Sequence, residues 1–291
     1  MTEVRTVVHR MNDWLGRLMP ESERMRRLVA SLEQRYGDRT DPVDAAACAD
    51  IERAAWAHSR HLLVSYEPDG TDPPDTESRG WPDVDPAEVR RRAGSVGEVR
   101  RMPGGACVLR VDDLDPVGAA LPYVDAAFAL ARDCTHLVLD LRANGGGDTA
   151  TVAAIAGWLL GDTAIHLADA TFADRVRQWW TPDRPPGTAL PAELPVSVLT
   201  SAKTFSNGEA LAYHLQARKR VRVVGERTPG AADYITPIRL APTVLGLLPE
   251  ATTTDPTTGS NWEGTGVVPD LECPAADALT AALGVPVVRN R

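Results

Sequence analysis

Apolar positions in the first part of the chain recur at helical spacing. Val7, Met11, Trp14 and Leu18 form one stripe, and Met25, Leu28, Leu32 and Tyr36 form a second, with Gly37 placed to stop it. A third helix is expected over about 44–59, and His61-Leu-Leu-Val-Ser-Tyr66 then reads as a short strand. Residues 67–92 are rich in Pro, Asp and Gly, the composition of an exposed connection. From Gly94 the pattern changes to short apolar runs at 106–111, 137–141, 196–200 and 220–225, alternating with amphipathic stretches at 123–132, 149–160, 207–218 and 275–283. Strands alternating with helices predict an α/β core of repeated strand-helix units. The expected organisation is a small N-terminal helical domain over 1–75 ending in a strand, a linker over 76–96, and the core over 97–291. Residues 234–262, rich in Thr and Pro and without helical period, are expected to be β and loop.

Composition narrows the function classes. The chain has 291 residues, 43% hydrophobic and 24% charged, near the globular average, which excludes disordered and collagen-like readings. Its net charge of −9 repels phosphate backbones and anionic headgroups, so neither nucleic acid nor membrane is an expected partner. The four cysteines, Cys48, Cys107, Cys134 and Cys273, are scattered without a C-x-x-C pair, and the N-terminus lacks the basic start and apolar stretch of a signal peptide. Reduced thiols and a cytoplasmic location are expected. Lysine occurs only at Lys203 and Lys219, which leaves few candidates for a catalytic amine.

Three segments carry candidate chemistry. Leu139-Asp-Leu-Arg-Ala-Asn-Gly-Gly-Gly147 is an apolar strand running into three glycines, whose N–H groups no Cβ shields from a developing anion. A tight strand-to-helix turn explains the same residues equally well. Thr204-Phe-Ser-Asn-Gly-Glu209 follows a strand and opens a helix, where free N–H groups favour an oxyanion beside Ser206. The same letters spell a capping box, S-x-x-E, and that reading stays open. Glu263, within Asn261-Trp-Glu-Gly-Thr-Gly266, sits in a glycine turn and can accept the second ring N–H of a histidine. Among the histidines, His214 lies on the same expected helix as Ser206, about 12 Å along its axis at 1.5 Å per residue, and is excluded as its base. His136 and His166 begin strands, His9 and His58 fit solvent faces, and His61, at the strand that closes the helical region, can be presented to a cleft. No zinc, Walker or dinucleotide motif occurs, so no cofactor or metal is expected.

The order of these segments is what carries a resemblance. D-L-R-x-N-G-G-G, an apolar strand into T-F-S-x-G-E, then V-V-G-E-x-T-x-G and W-E-G-x-G-V-x-P-D, over about residues 97–275, resembles the S41 peptidases, which include tail-specific proteases and the tricorn core. The N-terminal helices ending in R-H-L-x-V resemble the branch related to interphotoreceptor retinoid-binding protein, in bacteria. The resemblance implies a crotonase-like or ClpP-like α/β core and serine acyl chemistry on a peptide or protein, with Ser206 as nucleophile. It implies oxyanion donors at the N–H groups of Gly146 and Asn207. The lysine of tail-specific proteases is replaced by Ala231, so a Ser-Lys dyad is excluded and the tricorn-like arrangement maps the base to His61 and the carboxylate to Glu263. Asp233 stands where many close relatives carry histidine, and the segment 67–96 is too short for a PDZ domain. Folds of this kind often form rings or trimers, so a homo-oligomer is allowed for. Two alternatives remain: a module that has lost turnover and binds a hydrophobic ligand or peptide, and a tailoring enzyme acting on a peptide or ester.

Overall fold

The computed structural model describes residues 2–284. In chain order its elements are α1 (Val4–Leu18), α2 (Glu23–Tyr36), α3 (Ala45–Ala55), β1 (Leu63–Tyr66), α4 (Pro86–Arg91), β2 (Val96–Arg101), β3 (Cys107–Val111), α5 (Val117–Ala131), β4 (Leu137–Asp140), α6 (Thr149–Leu160), β5 (His166–Phe172), β6 (Val176–Trp180), β7 (Val196–Thr200), α7 (Asn207–Ala217), β8 (Arg222–Gly225), β9 (Tyr234–Ala241), β10 (Val244–Thr254), β11 (Leu271–Glu272) and α8 (Ala278–Ala282). The chain is mixed α/β with two sheets. It divides into two compact units that do not follow chain order. Unit 1 takes residues up to Asp83 with Asp169–Arg177 and Ala231–Thr254; unit 2 takes Val84–Ala168, Gln178–Gly230 and the residues from Asp255 onward.

Unit 1 is built on the three expected helices. Ser22 and Asp44 cap α2 and α3 by accepting the N–H groups of Met25 and Ala47. The apolar stripe of α1, Val4, Val7, Val8, Met11, Trp14 and Leu15, is buried with Leu28, Leu32 and Tyr36 of α2 against Ile238, Leu240, Val244 and Leu248. Those last four belong to the β9–β10 hairpin, which explains the divided unit. β10 pairs antiparallel with β1, placing Leu63 opposite Leu247, and along its other edge it pairs antiparallel with β9, which faces the same Val244–Leu247 stretch. The helices therefore cover a sheet whose strands arrive from distant parts of the sequence. A linear reading of the chain separates what the apolar faces bring together.

Unit 2 holds a six-stranded sheet in the order β11-β8-β7-β4-β3-β2, parallel throughout except for β2. All residues of β4 and β7 are buried, as strands covered on both faces must be, and this is why they read as continuous apolar runs. α5 connects β3 to β4, α7 connects β7 to β8, and α8 packs its apolar residues near Val108, Val138, Leu199 and Val224. α5 begins at Val117, earlier than the expected 123, because Pro122 falls inside the helix and breaks the sequence pattern without breaking the fold. No described helix is long and apolar enough to cross a membrane.

Candidate active site

In unit 2, β4 and β7 are parallel neighbours, with Asp140 opposite Leu199, so the loops that leave their C-terminal ends lie side by side. Ligands of open parallel sheets gather at such ends. The β4 loop is Leu141–Asp148 and the β7 loop runs to Ser206, and they are laced together. Thr204 Oγ1 donates to the Leu141 carbonyl at 2.8 Å, Ser201 Oγ to the Arg142 carbonyl at 2.6 Å, and Phe205 N–H to the Asn144 carbonyl at 3.0 Å. Asn144 is fully buried and is the hub: its Nδ2 donates to the Val111 carbonyl at 3.0 Å, and its Oδ1 accepts the Gly146 N–H at 2.9 Å.

Ser206 stands at the turn where β7 gives way to α7, with φ +50° and ψ −123°. A non-glycine residue in that region stores about 1–3 kcal/mol and persists only when its surroundings impose it. Here they do. Gly146 (φ +109°) lies against it, so closely that a Cβ on Gly146 would sit 2.7 Å from the Ser206 Cβ and 3.2 Å from the Asn207 nitrogen. Asn207 Nδ2 donates to the Gly147 carbonyl at 2.5 Å and to Thr149 Oγ1 at 3.1 Å, clamping the start of α7 to the glycine loop. The loop is held on its other side by Leu114, whose N–H meets the Gly146 carbonyl and whose carbonyl accepts the Asp148 N–H, both at 2.7 Å. Ser206, Asn207 and Gly146, selected from the sequence, are thus one cluster. The Gly146 N–H is spent on Asn144, whereas the N–H of Gly147 has no acceptor among the described residues.

Glu209 is more than the helix cap that its spacing suggests. Its carboxylate is fully buried and takes three donors: Ser206 N–H at 2.9 Å on Oε2, and Thr228 Oγ1 at 2.6 Å and Gly230 N–H at 2.7 Å on Oε1. Thr228 Oγ1 in turn accepts the Val267 N–H at 2.7 Å, and the Gly230 carbonyl accepts the Gly264 N–H at 2.8 Å. One buried carboxylate therefore joins the serine turn to the T-P-G segment and to the turn that bears Glu263. Glu263 is half-buried, its N–H on Asn261 Oδ1 at 2.8 Å. Sequence reasoning missed Asn144, Thr228 and the extra partners of Glu209, because a capping box explained the glutamate sufficiently.

His214 is buried beside Asp255, its Nδ1 2.6 Å from Oδ2, and Arg218 donates to the same oxygen at 2.7 Å. Burial lowers the His214 pKa; it also pushes the Asp255 pKa up, but the hydrogen bonds from His214 and Arg218 prevail and hold that carboxyl at about 2. The pair is a neutral imidazole donating to a carboxylate. Its ring edge meets Trp262, next to Glu263, with centroids 5.7 Å apart. His136 bonds Ser197 Oγ at 3.0 Å and His166 stacks on Trp180 with centroids 4.6 Å apart.

His61 belongs to unit 1, two residues before β1, and is 5% exposed. Its Nδ1 bonds the backbone carbonyl of Asp233, the ring position that the sequence reading reserves for Glu263. The Asp233 side chain is buried and takes Arg24 through two hydrogen bonds of 2.7 Å and Ser59 Oγ at 3.1 Å. Burial lowers the His61 pKa, and the carbonyl bond and negative charge of Asp233 act in the opposite direction. Among the described residues no group of three His, Cys, Asp or Glu side chains is placed to hold a metal.

Comparison with known proteins agrees with the motifs. The fold is shared with a lipoprotein from Streptococcus agalactiae (14% identity, TM-score 0.58), across 98% of this chain and 96% of that one. It is shared also with a candidate peptidase from Parabacteroides merdae (15% identity, TM-score 0.62), across 97% and 94%. A candidate S41 protease from Bacteroides fragilis aligns over 67% of this chain at 21% identity and TM-score 0.51, and this chain spans 54% of that protein's length. The sequence profile described as "Peptidase family S41" matches residues 115–273, more than half of the chain and the stretch that contains the glycine loop, Ser206 and Glu263, so the chain belongs to peptidase family S41, a family of serine peptidases.

Proposed function

We propose that the chain hydrolyses peptide bonds with Ser206 as nucleophile and His61 as its base. The observation that carries this reading is the backbone of Ser206, held at positive φ on a strand-to-helix turn against the glycine loop. A strained turn of that kind projects a nucleophile and sets it beside the N–H groups that begin the helix. In the proposed reaction Ser206 Oγ bonds the substrate carbonyl carbon while its proton passes to His61 Nε2. The oxyanion is received by the Asn207 N–H and by the glycine loop, where Gly146 borders the serine and Gly147 carries an N–H without an acceptor among the described residues. His61 then gives the proton to the leaving amine as the C–N bond breaks, and water repeats the cycle on the acyl-enzyme. Glu263 is assigned the acidic member of the set, its charge stabilising the imidazolium.

A serine-directed fluorophosphonate tests the assignment. It should attach to Ser206 in the intact protein, and Ser206→Ala should abolish both labelling and cleavage of casein-derived peptides. An unlabelled wild-type serine would instead favour a binding module on a peptidase scaffold.

A further inference from the structure

We propose that Arg24 and Asp233 are positioning residues for His61. Their ion pair, with Ser59, keeps the Asp233 carbonyl on Nδ1 and so fixes the imidazole as the tautomer with its lone pair on Nε2. This rests on the reading of His61 as the base.

A backbone carbonyl only accepts, so the ring nitrogen facing it must carry the proton, and in a neutral imidazole the other nitrogen is then the acceptor. What holds that carbonyl in place is the side chain of the same residue. A fully buried carboxylate is costly unless paired and hydrogen-bonded, and Asp233 is held by a two-pronged guanidinium contact, the geometry arginine matches best. Arg24 also donates to the His58 carbonyl at 2.9 Å, and Ser59 Oγ reaches Asp233 Oδ2. Segment 58–61 is therefore tied to Asp233 at three points: His58 through Arg24, Ser59 directly, and His61 through its ring. The backbone frame supports this, since His61 precedes β1 and Asp233 precedes β9, and both strands pair with β10. Serine peptidases commonly orient the base with a carboxylate on the imidazole. Here the carboxylate acts one step removed, through the carbonyl of its own residue.

Nitrogen NMR of ¹⁵N-histidine-labelled protein, with the His61 signals assigned by their absence in His61→Gln, reads the tautomer directly. His61 should show a protonated Nδ1 and an unprotonated Nε2, and Arg24→Gln and Asp233→Asn should lose that single form. In kinetics, Arg24→Gln should lower kcat by about 10²-fold, the effect of a misplaced catalytic group, with little change in KM. Arg24→Lys should recover part of the loss. In a His61→Ala background Arg24→Gln should cost nothing further, because the residue acts only through the ring. If Asp233→Asn does not fold, Ser59→Ala, which leaves the ion pair in place, is read in its stead. A wild-type tautomer and kcat in Arg24→Gln and Asp233→Asn, or an additive loss with His61→Ala, overturns the positioning role alone. Undiminished fluorophosphonate labelling and cleavage in His61→Ala overturns the base assignment beneath it.

Discussion

The Glu209 carboxylate accepts the backbone N–H of Ser206 at 2.9 Å and, through its other oxygen, the hydroxyl of Thr228 and the N–H of Gly230. The residue that closes the capping box in the first turn of α7 is thus also the anchor of two further loops, and the strained serine is held by the same group that orders the Glu263 turn.

Removing that anchor has a large expected cost. Glu209→Ala strands three donors, the buried Thr228 hydroxyl and Gly230 N–H and the part-buried Ser206 N–H. About 1–3 kcal/mol is lost for a buried donor left without an acceptor, and the losses overlap because the loops can relax together. A destabilisation of about 3 kcal/mol or more is expected in urea titration. Glu209→Gln should fare little better than alanine, since its amide NH₂ would face donors. A variant within about 0.5 kcal/mol of wild type, the range of ordinary surface substitutions, would show that the carboxylate does not hold these loops.

Gly146→Ala should remove activity while the sheet stays folded. The new Cβ meets the Ser206 Cβ at 2.7 Å and the residue must hold φ +109°, so either the serine or the glycine loop has to move. Displacing an oxyanion donor typically costs about 10²–10³-fold in kcat, and a loss of that size is expected in peptide cleavage with far-ultraviolet circular dichroism unchanged. Activity within tenfold or so of wild type would mean that the loop does not serve the reaction.

The helices and the parallel strands are legible in the sequence because each is set by a local period: the stripes of α1 and α2, and the apolar runs of β4 and β7. The two turns that bear Gly146 and Ser206 are legible because strand-to-helix turns announce themselves through glycine and small polar residues, whereas the choice of Gly146 and Asn207 within them comes from the resemblance to S41 peptidases alone. What the sequence conceals is long-range. The β9–β10 hairpin joins the N-terminal helices through Ile238, Leu240, Val244 and Leu248, and no local pattern says which apolar face those strands cover. β5 and β6, each with an irregular burial pattern, carry no clean alternation. The partner of His61 is hidden for a further reason: the accepting atom is a backbone oxygen, and every residue has one.

The acid limb of kcat/KM should lie below pH 6.5. It reports the pKa of the base in the free enzyme, and burial holds that of His61 below its ordinary 6.5. Asp233 acts in the opposite sense, through its carbonyl bond and its charge, so Asp233→Asn should move the limb further toward acid if the ring stays in place. An acid limb above pH 6.5 in the wild type would sink the assignment of a buried neutral imidazole as the base.

Stability should fall with acid in two stages, and the second belongs to Asp255. His214, His61 and His136 have native pKa values lowered by burial, so below pH 6.5 the unfolded chain takes up protons that the folded chain refuses. Their contribution is complete above 6.5 and is lost as the pH drops from there through their lowered native values. Asp255 titrates at about 2 when folded against an ordinary 3.8, so its contribution is complete above 3.8 and is lost between there and about 2. That second stage is worth on the order of 2 kcal/mol at roughly 1.4 kcal/mol per pH unit. Asp255→Asn should remove it, since the amide does not titrate, although His214 and Arg218 then keep only a neutral acceptor. Urea unfolding from pH 8 to pH 2.5 checks both stages, with global unfolding near the acid end setting the reach of the second. A wild-type profile flat from pH 7 to pH 5, or an Asp255→Asn profile as steep below pH 4 as the wild type, would contradict the neutral-imidazole and carboxylate pair at the core of unit 2.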